Sequence, residues 1–127
     1  MDRRIPVLTD KAPQPIGPYS QAVKCQGFVF ISGQLGIDPE TGMLVSGGII
    51  PETEQALRNL TAVLEAAGSG MDRVVKTTVF LANMADFGRV NEVYGRFFPG
   101  PAPARSAFQV AALPKGAAIE IEAVAEV

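Results

Sequence analysis

The spacing of the hydrophobic residues changes along this chain, and that change constrains the fold more than any other feature. From Pro51 to Ala67 apolar residues recur at helical spacing and form one stripe, with Gly68 just beyond them. From Ile119 to Val127 every second residue is apolar: Ile119, Ile121, Ala123, Ala125 and Val127. The first pattern is typical of a helix packed on one side, and the second of a strand with one buried face. The chain therefore combines helices with a sheet.

Other segments extend these two patterns into an order of elements. Three β-branched or aromatic runs predict strands: "IPVL", "FVFISG" at Phe28–Gly33 and "RVVKTTVFLA" at Arg73–Ala82. "DPETGMLV" predicts a hairpin turn and a short return strand, whereas the proline-rich "KAPQPIGPYSQA" predicts irregular backbone. An aromatic stripe at 87–98 predicts a second helix, with Asn83 or Asp86 as its cap. "PARSAFQV" after the prolines predicts a further strand.

The predicted order is three strands, a helix, a strand, a helix and two strands. Strand–helix–strand units favour parallel pairing with right-handed crossovers, and hairpins favour antiparallel pairing. We therefore expect an α+β fold, a mixed sheet with two helices on one face, in a single domain spanning 1–127. The uncovered face of such a sheet favours an oligomer, and small-molecule pockets favour subunit boundaries.

Two scarce residue types narrow the chemistry. Histidine is absent, which excludes Ser-His-Asp and Cys-His mechanisms and most zinc sites. Cys25 is the single cysteine, so the chain has no internal disulfide. We expect a structural or neutral role for it, and a reactive thiol is the alternative. Any reaction must use carboxylates, arginine, lysine, tyrosine, hydroxyls, backbone groups and water.

Charge and hydropathy predict location and partners. The formal net charge is −2, and the only basic cluster is Arg3–Arg4, which argues against a nucleic-acid surface. No apolar run approaches the roughly 20 residues of a membrane helix. The apolar patch of "MDRRIPVLTD" is too short for a signal peptide. We expect a cytoplasmic protein that does not bind membranes.

An arginine and a glutamate are the main candidates for chemistry. Arg105 heads an otherwise apolar strand, and alternation assigns it to the polar side. Its planar guanidinium matches a carboxylate through two hydrogen bonds, although a solvated strand arginine is the alternative. Glu120 and Glu122 share one face of the last strand. They indicate either a polar sheet face or a carboxylate that holds a water or moves a proton.

Four weaker candidates accompany them. Tyr19 lies between turn residues, where packing is an equally good explanation. Ser32 ends a strong strand beside Gly33, which permits close approach of a ligand to the backbone. Asn91 lies inside a predicted helix despite its poor helix propensity, and solvent exposure alone would account for it.

Together these segments resemble a known family. "IGPYSQA", "ISGQLGIDPETG", "VVKTTVFL", "VNEVY", "PARSAFQVAALPKG" and "IEIEAVA" closely resemble the Rid, or YjgF-type, family of reactive-intermediate deaminases. The resemblance runs from about Lys11 to the C-terminus, and Pro103–Ile121 is similar to the family's signature. It implies a chorismate-mutase-like α+β fold. It also implies a homotrimer whose sheets form a central barrel, with three sites in the clefts between subunits.

The resemblance also implies an activity. The substrates would be short 2-imino acids such as 2-iminopropanoate and 2-iminobutanoate, formed from enamines that pyridoxal-phosphate-dependent dehydratases release. The products would be 2-keto acids and ammonia, and no metal or organic cofactor is expected. An endoribonuclease or translation inhibitor is the main alternative, and a non-catalytic ligand-binding or chaperone-like trimer is another.

The same resemblance implies roles for the candidate residues. Arg105 would clamp the substrate carboxylate, and Glu120 would hold or activate the attacking water. The rest of the implied pocket consists of the side chains of Tyr19, Ser32 and Asn91 and the backbone at Gly33 and Ala107. Ala107 stands where many members of the family carry cysteine, so no thiol regulation is expected there.

Overall fold

The chain forms one mixed sheet and two helices. A computed structural model describes residues 3–127; Met1 and Asp2, where the charged N-terminal stretch begins, lie outside the described residues. The elements are β1 (Ile5–Val7), β2 (Ala22–Cys25), β3 (Phe28–Leu35), α1 (Ile49–Ala66), β4 (Val74–Leu81), α2 (Phe87–Phe97), β5 (Ala104–Gln109) and β6 (Ile119–Glu126). Short 3₁₀ turns precede β4, α2 and β6.

The strand order places the last strand in the middle of the sheet. The order is β1-β2-β3-β6-β4-β5, so β6 lies between β3 and β4, while β1 and β5 are edges. The β4–β5 pair is parallel, and every other pair is antiparallel. The predicted α+β architecture, a mixed sheet with two helices, is confirmed.

Both helices pack on one face of the sheet, where the core lies. Along β6 the residues Ile119, Ile121, Ala123 and Ala125 are buried, as the alternation predicts. The α1 stripe meets them with its leucines, and Leu57, Leu60 and Leu64 are fully buried. Complete burial of each such side chain contributes about 1.5–3 kcal/mol to stability.

The ends of α1 follow from local chemistry. The helix begins at Ile49, so Pro51 lies in its first turn, where a missing N–H costs nothing. Gly68 follows the end with φ +84°, and the amide of Ser69 donates to the carbonyl of Leu64 at 2.9 Å. That pattern closes the helix with a left-handed glycine. Neither helix of the described chain has the length and apolar character needed to cross a membrane.

The predicted return strand after "DPETG" is wrong, and a strand that the pattern did not predict replaces it. The 38–43 turn ends in a single bridge between Ile37 and Leu44. The additional strand is β2, which pairs with β3 through a two-residue turn at Gln26 and Gly27. Both turn residues have positive φ, 55° and 80°, as a tight hairpin requires. Tight hairpins usually have two residues that tolerate a positive φ, such as Asn-Gly. Here only Gly27 does so readily, because glutamine seldom adopts that conformation.

The second helix also differs from expectation at its start. The side chain of Asn83 caps the preceding 3₁₀ turn by accepting a hydrogen bond from the amide of Ala85. Asp86 occupies the N-cap position of α2 but makes no capping hydrogen bond with its side chain. The helix ends at Phe97, before the "PGPAP" loop, as predicted.

Candidate functional site

The predicted site residues fall into two groups. The first group lines one cavity and consists of Tyr19, Ser32, Gly33 and Glu120. The second group lies where α2 meets the edge strand β5 and consists of Asn91, Arg105 and Ala107. We refer to these groups as the glutamate pocket and the arginine cluster.

Irregular segments and strand ends form the glutamate pocket. Its volume is about 780 Å³, and its walls are the loop at 13–19, the end of β3, the turn at 39–42 and the start of β6. Gln21 fixes the loop, because its buried side chain accepts from the amide of Thr9 and donates to the carbonyls of Thr9 and Pro13. The proline-rich segment is thus irregular, as expected, but it is anchored.

Ser32 holds the segment that carries Tyr19. The Ser32 hydroxyl donates to the carbonyl of Ser20 at 2.7 Å, and its amide donates to the carbonyl of Gln21 at 3.0 Å. Tyr19 is 51% exposed beside the pocket. Ser32 therefore already uses its proton within the chain, while its oxygen can still accept a hydrogen bond.

A bulge in β3 brings Gly33 against Glu120. The register slips between Ile31 and Gln34, so β3 has one more residue than β6 over this stretch. A side chain on Gly33 would overlap the Glu120 carboxyl group, with a Cβ only 2.8 Å from Cγ. Because Gly33 does not have a positive φ, glycine is needed here for space rather than for backbone conformation, and the space is taken by Glu120.

Two features of its environment make the Glu120 carboxyl group easier to protonate than an ordinary glutamate. Partial burial raises its pKa, and the nearby charge of Glu122 raises it further. Glu122 itself is exposed on the same face of β6, opposite the buried isoleucines, as alternation predicts. A carboxyl whose pKa is moved toward neutrality is suited to exchange a proton with water or a substrate.

In the arginine cluster, one helix face surrounds a guanidinium. Arg105 Nη1 donates to Asn91 Oδ1 at 2.8 Å. The guanidinium carbon lies 5.2 Å from the ring centre of Phe87 and 4.8 Å from that of Tyr94. Phe87, Asn91 and Tyr94 are spaced i, i+4 and i+7, so they share one face of α2.

The prediction that Arg105 lies on the polar side of its strand is wrong. It pairs with Thr77 of β4, whose side chain is buried beneath the helices, so Arg105 lies on the covered face. The other side of β5 is the open face, where Phe108 is 52% exposed. Aromatic faces and an amide oxygen on α2 replace water around the guanidinium, which makes this position acceptable for a cation.

Arg105 forms no salt bridge with any carboxylate in residues 3–127. Of its five N–H donors, the described chain engages one, through Asn91. Its other donors have no acceptor within the described residues. The arrangement is therefore suited to an anion supplied from outside the chain.

The sequence prediction missed two kinds of supporting residue. Phe87 and Tyr94 were assigned to a core stripe, although the same stripe also faces the edge strand. The second kind lies on α1, where buried Asn59 donates to the carbonyls of Leu35 and Ile37 at 3.0 and 2.8 Å. Glu52 accepts from the amide of Ala118 at 2.9 Å. Both α1 side chains fix backbone that borders the glutamate pocket.

The two groups lie on opposite faces of the sheet. Arg105 pairs with Thr77 and Glu120 pairs with Phe80, and an offset of three residues along β4 reverses the face. The two positions are also about 10 Å apart across the strands and about 10 Å apart along them. Arg105 and Glu120 of one chain therefore cannot contact the same three- or four-carbon molecule.

Comparison with known proteins gives a consistent result. The family model for Endoribonuclease L-PSP matches residues 9–127. A mouse protein named 2-iminobutanoate/2-iminopropanoate deaminase is 57% identical over 94% of this chain and 88% of its own length.

Two solved structures are similar over almost the whole chain. RidA from the Antarctic bacterium Psychrobacter sp. PAMC 21119 has a TM-score of 0.94 at 48% identity, covering 98% of this chain and 100% of that one. E. coli TdcF with bound serine has a TM-score of 0.92 at 38% identity, covering 97% and 98%.

Proposed function

This chain belongs to the Endoribonuclease L-PSP family, which is the Rid family of the sequence resemblance, and on that premise we propose that it is a deaminase of short 2-imino acids. It hydrolyses substrates such as 2-iminobutanoate and 2-iminopropanoate to 2-keto acids and ammonia. The enzyme acts on small molecules, in keeping with its curated relatives of 57% identity.

The unpaired guanidinium of Arg105 is the observation that carries this proposal. All substrates of this class share a carboxylate beside the imine carbon. Arg105 has free donors and no acidic partner among the described residues, so it binds that carboxylate through two parallel hydrogen bonds. Asn91 orients the guanidinium, and the backbone at Ala107 forms the adjacent wall.

Glu120 acts on the water. An imine carbon is already electrophilic, so the protein needs to orient the substrate and direct one water rather than supply a strong nucleophile. In the ionised form Glu120 accepts a proton as the water oxygen bonds to C2. It returns that proton to nitrogen, which gives a tetrahedral carbon bearing OH and NH2. Glu120 then carries the hydroxyl proton to the amine nitrogen, the C–N bond breaks as the C=O bond forms, and ammonia leaves the 2-keto acid. Tyr19, Ser32 and the backbone of Gly33 complete the pocket around this water.

The site is shared between chains in a homotrimer. Arg105 and Glu120 lie on opposite faces of one sheet, so a site containing both requires the arginine of one copy and the glutamate of another. The open face supports an assembly, since Phe28, Phe30 and Phe108 are 39%, 49% and 52% exposed there. We expect a trimer by light scattering at micromolar concentration, and a fully active monomer would contradict it.

We expect residues 1–127 to act as one domain in the cytoplasm. A direct test generates the imine with a dehydratase and follows keto acid and ammonia release against the spontaneous rate. Wild type should accelerate release, Arg105→Ala should not, and the exposed Arg58→Ala control should match wild type. Equal rates with and without the protein would refute the deaminase assignment.

Two alternatives remain distinguishable by experiment. The family description names an endoribonuclease, yet the chain has a net charge of −2, and the glutamate pocket is lined by Glu40, Glu120 and Glu122 with only one lysine. Phosphate binding relies on basic residues, so RNA affinity should be weak and should show a shallow salt dependence. A non-catalytic binder would retain keto-acid affinity and show no single-turnover acceleration.

A further inference from the structure

We propose that Phe87 and Tyr94 are positioning residues that hold the Arg105 guanidinium ready for the substrate carboxylate, and that Thr77 fixes Tyr94. This inference rests on the proposed role of Arg105 as the carboxylate anchor. It adds an aromatic clamp to that site, made of two residues that the sequence pattern assigns only to the core.

The geometry of the clamp leaves the guanidinium little freedom. The two rings lie 5.2 and 4.8 Å from its central carbon, and Asn91 Oδ1 holds one of its nitrogens at 2.8 Å. Aromatic rings attract a cation over their faces, while the amide oxygen fixes rotation in the plane. One helix face therefore controls both the position and the orientation of the group.

Tyr94 is itself held at both ends. Its hydroxyl lies 2.7 Å from Thr77 Oγ1 in the buried interior. Its ring packs against Phe98 with 4.7 Å between the ring centres. Because Thr77 pairs directly with Arg105 across the β4–β5 ladder, the tyrosine spans from the guanidinium to the backbone neighbour of the arginine.

Burial strengthens the preference of this tyrosine for its neutral form. Desolvation raises its pKa, and this outweighs the lowering by the hydrogen bond to Thr77 and by the charge of Arg105. At neutral pH the phenol does not compete with the substrate as an anion. The guanidinium is stacked rather than neutralised, so its attraction for a carboxylate is retained.

A fixed guanidinium binds with less loss of conformational entropy. A free arginine side chain must order several rotatable bonds when its ligand arrives, whereas a clamped one is ordered beforehand. Since the substrate keeps its carboxylate throughout the reaction, this advantage applies equally to ground and transition states. Loss of the clamp should therefore raise KM and leave kcat unchanged.

The test compares Phe87→Leu with Phe97→Leu. Phe97 lies on the same helix, is likewise partly buried against the core, and makes no stacking contact with an arginine within the described chain. Phe87→Leu should weaken pyruvate binding in calorimetry and raise KM by about three- to tenfold at constant kcat. Phe87→Tyr keeps a ring and should restore both values. Phe97→Leu should leave KM unchanged.

A second pair tests the link to Thr77 and keeps the proposal open to refutation if Phe87→Leu fails to fold. Tyr94→Phe and Thr77→Val each remove one partner of the same hydrogen bond, and their effects on KM should not add in the double variant. Unchanged KM in both Phe87→Leu and Tyr94→Phe would overturn the clamp, as would equal rises in Phe87→Leu and Phe97→Leu. If Arg105→Ala itself retains pyruvate affinity, the proposed anchor is wrong as well, so the two failures are distinguishable.

Discussion

The arginine cluster and the glutamate pocket show opposite solutions to the burial of a charge. In the arginine cluster, the rings of Phe87 and Tyr94 replace water around a cation that stays charged. In the glutamate pocket, partial burial and a neighbouring carboxylate raise the pKa of Glu120, which makes its uncharged form easier to reach. The arginine cluster therefore keeps a positive charge without an acidic partner in the described chain, whereas the glutamate pocket contains a carboxyl group that takes up a proton more readily.

The difference supports the proposal that each region is half of a site shared between chains. The cluster can hold an anion but offers no group that moves a proton, and the pocket contains the carboxyl but only Lys115 as a cation. That lysine already donates to the carbonyl of Gly42 at 3.1 Å. Their positions on opposite faces of one sheet separate the two regions within a chain, and in the proposed trimer they would meet between chains.

Mixing two inactive variants gives the largest expected effect. Arg105→Ala lacks the anchor and Glu120→Gln lacks the carboxylate, so each homo-oligomer should be nearly inactive. When the two are co-expressed in equal amounts, a shared site receives both intact residues in about one case in four. Activity should rise from almost none to about a quarter of the wild-type value.

The measurement is specific activity of the purified mixture against the two separate variants. A mixture no more active than the sum of the two separate variants would contradict a site that takes Arg105 from one chain and Glu120 from another. Two variants of the same residue, Arg105→Ala with Arg105→Gln, serve as the control and should never complement.

Glu120→Gln on its own sharpens the role of the pocket. The amide keeps the shape but cannot accept the proton of water, so turnover should fall by about 10²–10⁴. Affinity for pyruvate should change far less, because Arg105 still binds the carboxylate. Glu122 lies on the same face of β6 as Glu120 but is exposed. Glu122→Gln should therefore leave turnover at neutral pH nearly unchanged.

Stability provides a check that the glutamine variant is folded. A raised pKa means that the folded chain binds this proton more tightly than the unfolded chain. The contribution is present below the ordinary glutamate pKa and is lost as the pH rises through the raised one. Glu120→Gln should therefore show a higher free energy of unfolding than wild type at neutral pH, and the gain should vanish on acidification. A large loss of stability would remove the catalytic interpretation.

Gly33→Ala tests the pocket through its backbone. The added methyl group needs the space of the Glu120 side chain, which is flexible and can move away. Displacing a catalytic group by about 1 Å can cost about 10²-fold in rate, while the folded state should lose little stability. Gly100→Ala adds a methyl group in open space and is the control. Wild-type turnover in Gly33→Ala would show that the Glu120 position is not critical.

Periodicity and composition predicted the architecture well because one buried face imposes a repeat. The α1 stripe and the alternation of β6 both appear in the buried core, including Leu57 and Ile121. The missed strand β2 depended on Gln26 in a left-handed conformation, which its residue type does not signal. Local pattern thus succeeds where burial is regular and fails where a turn is decided by tertiary pairing.

The site residues were predicted in a different way. The family resemblance selected Arg105 and Glu120, and spacing alone could not separate Glu120 from Glu122. Alternation along "PARSAFQV" identified which residues share a face, but it could not say which face α2 covers. That depends on Phe87, Asn91 and Tyr94 meeting an arginine from another element, which no local window of sequence contains.

The smallest expected effect concerns the pH dependence of turnover. Burial and the charge of Glu122 both raise the pKa of Glu120. If the ionised form accepts the proton of water, kcat/KM falls as the pH decreases through that raised pKa. The acid limb of the wild-type profile should therefore lie above the usual range of a glutamate.

Glu122→Gln separates the two causes. It removes the charge of Glu122, which is the second cause of the raised pKa. The acid limb should therefore move to lower pH while the neutral plateau stays the same. The movement should be small and incomplete, because burial is the larger cause and remains in place.

Glu126 lies further along the same strand face, outside the pocket, so the matched substitution Glu126→Gln should leave the acid limb where it is. The measurement is kcat/KM across the acid range for the three proteins at one ionic strength. A limb that moves to higher pH in Glu122→Gln, or that moves equally in Glu126→Gln, would show that the proton is controlled by the charge of the whole face rather than by the pocket around Glu120.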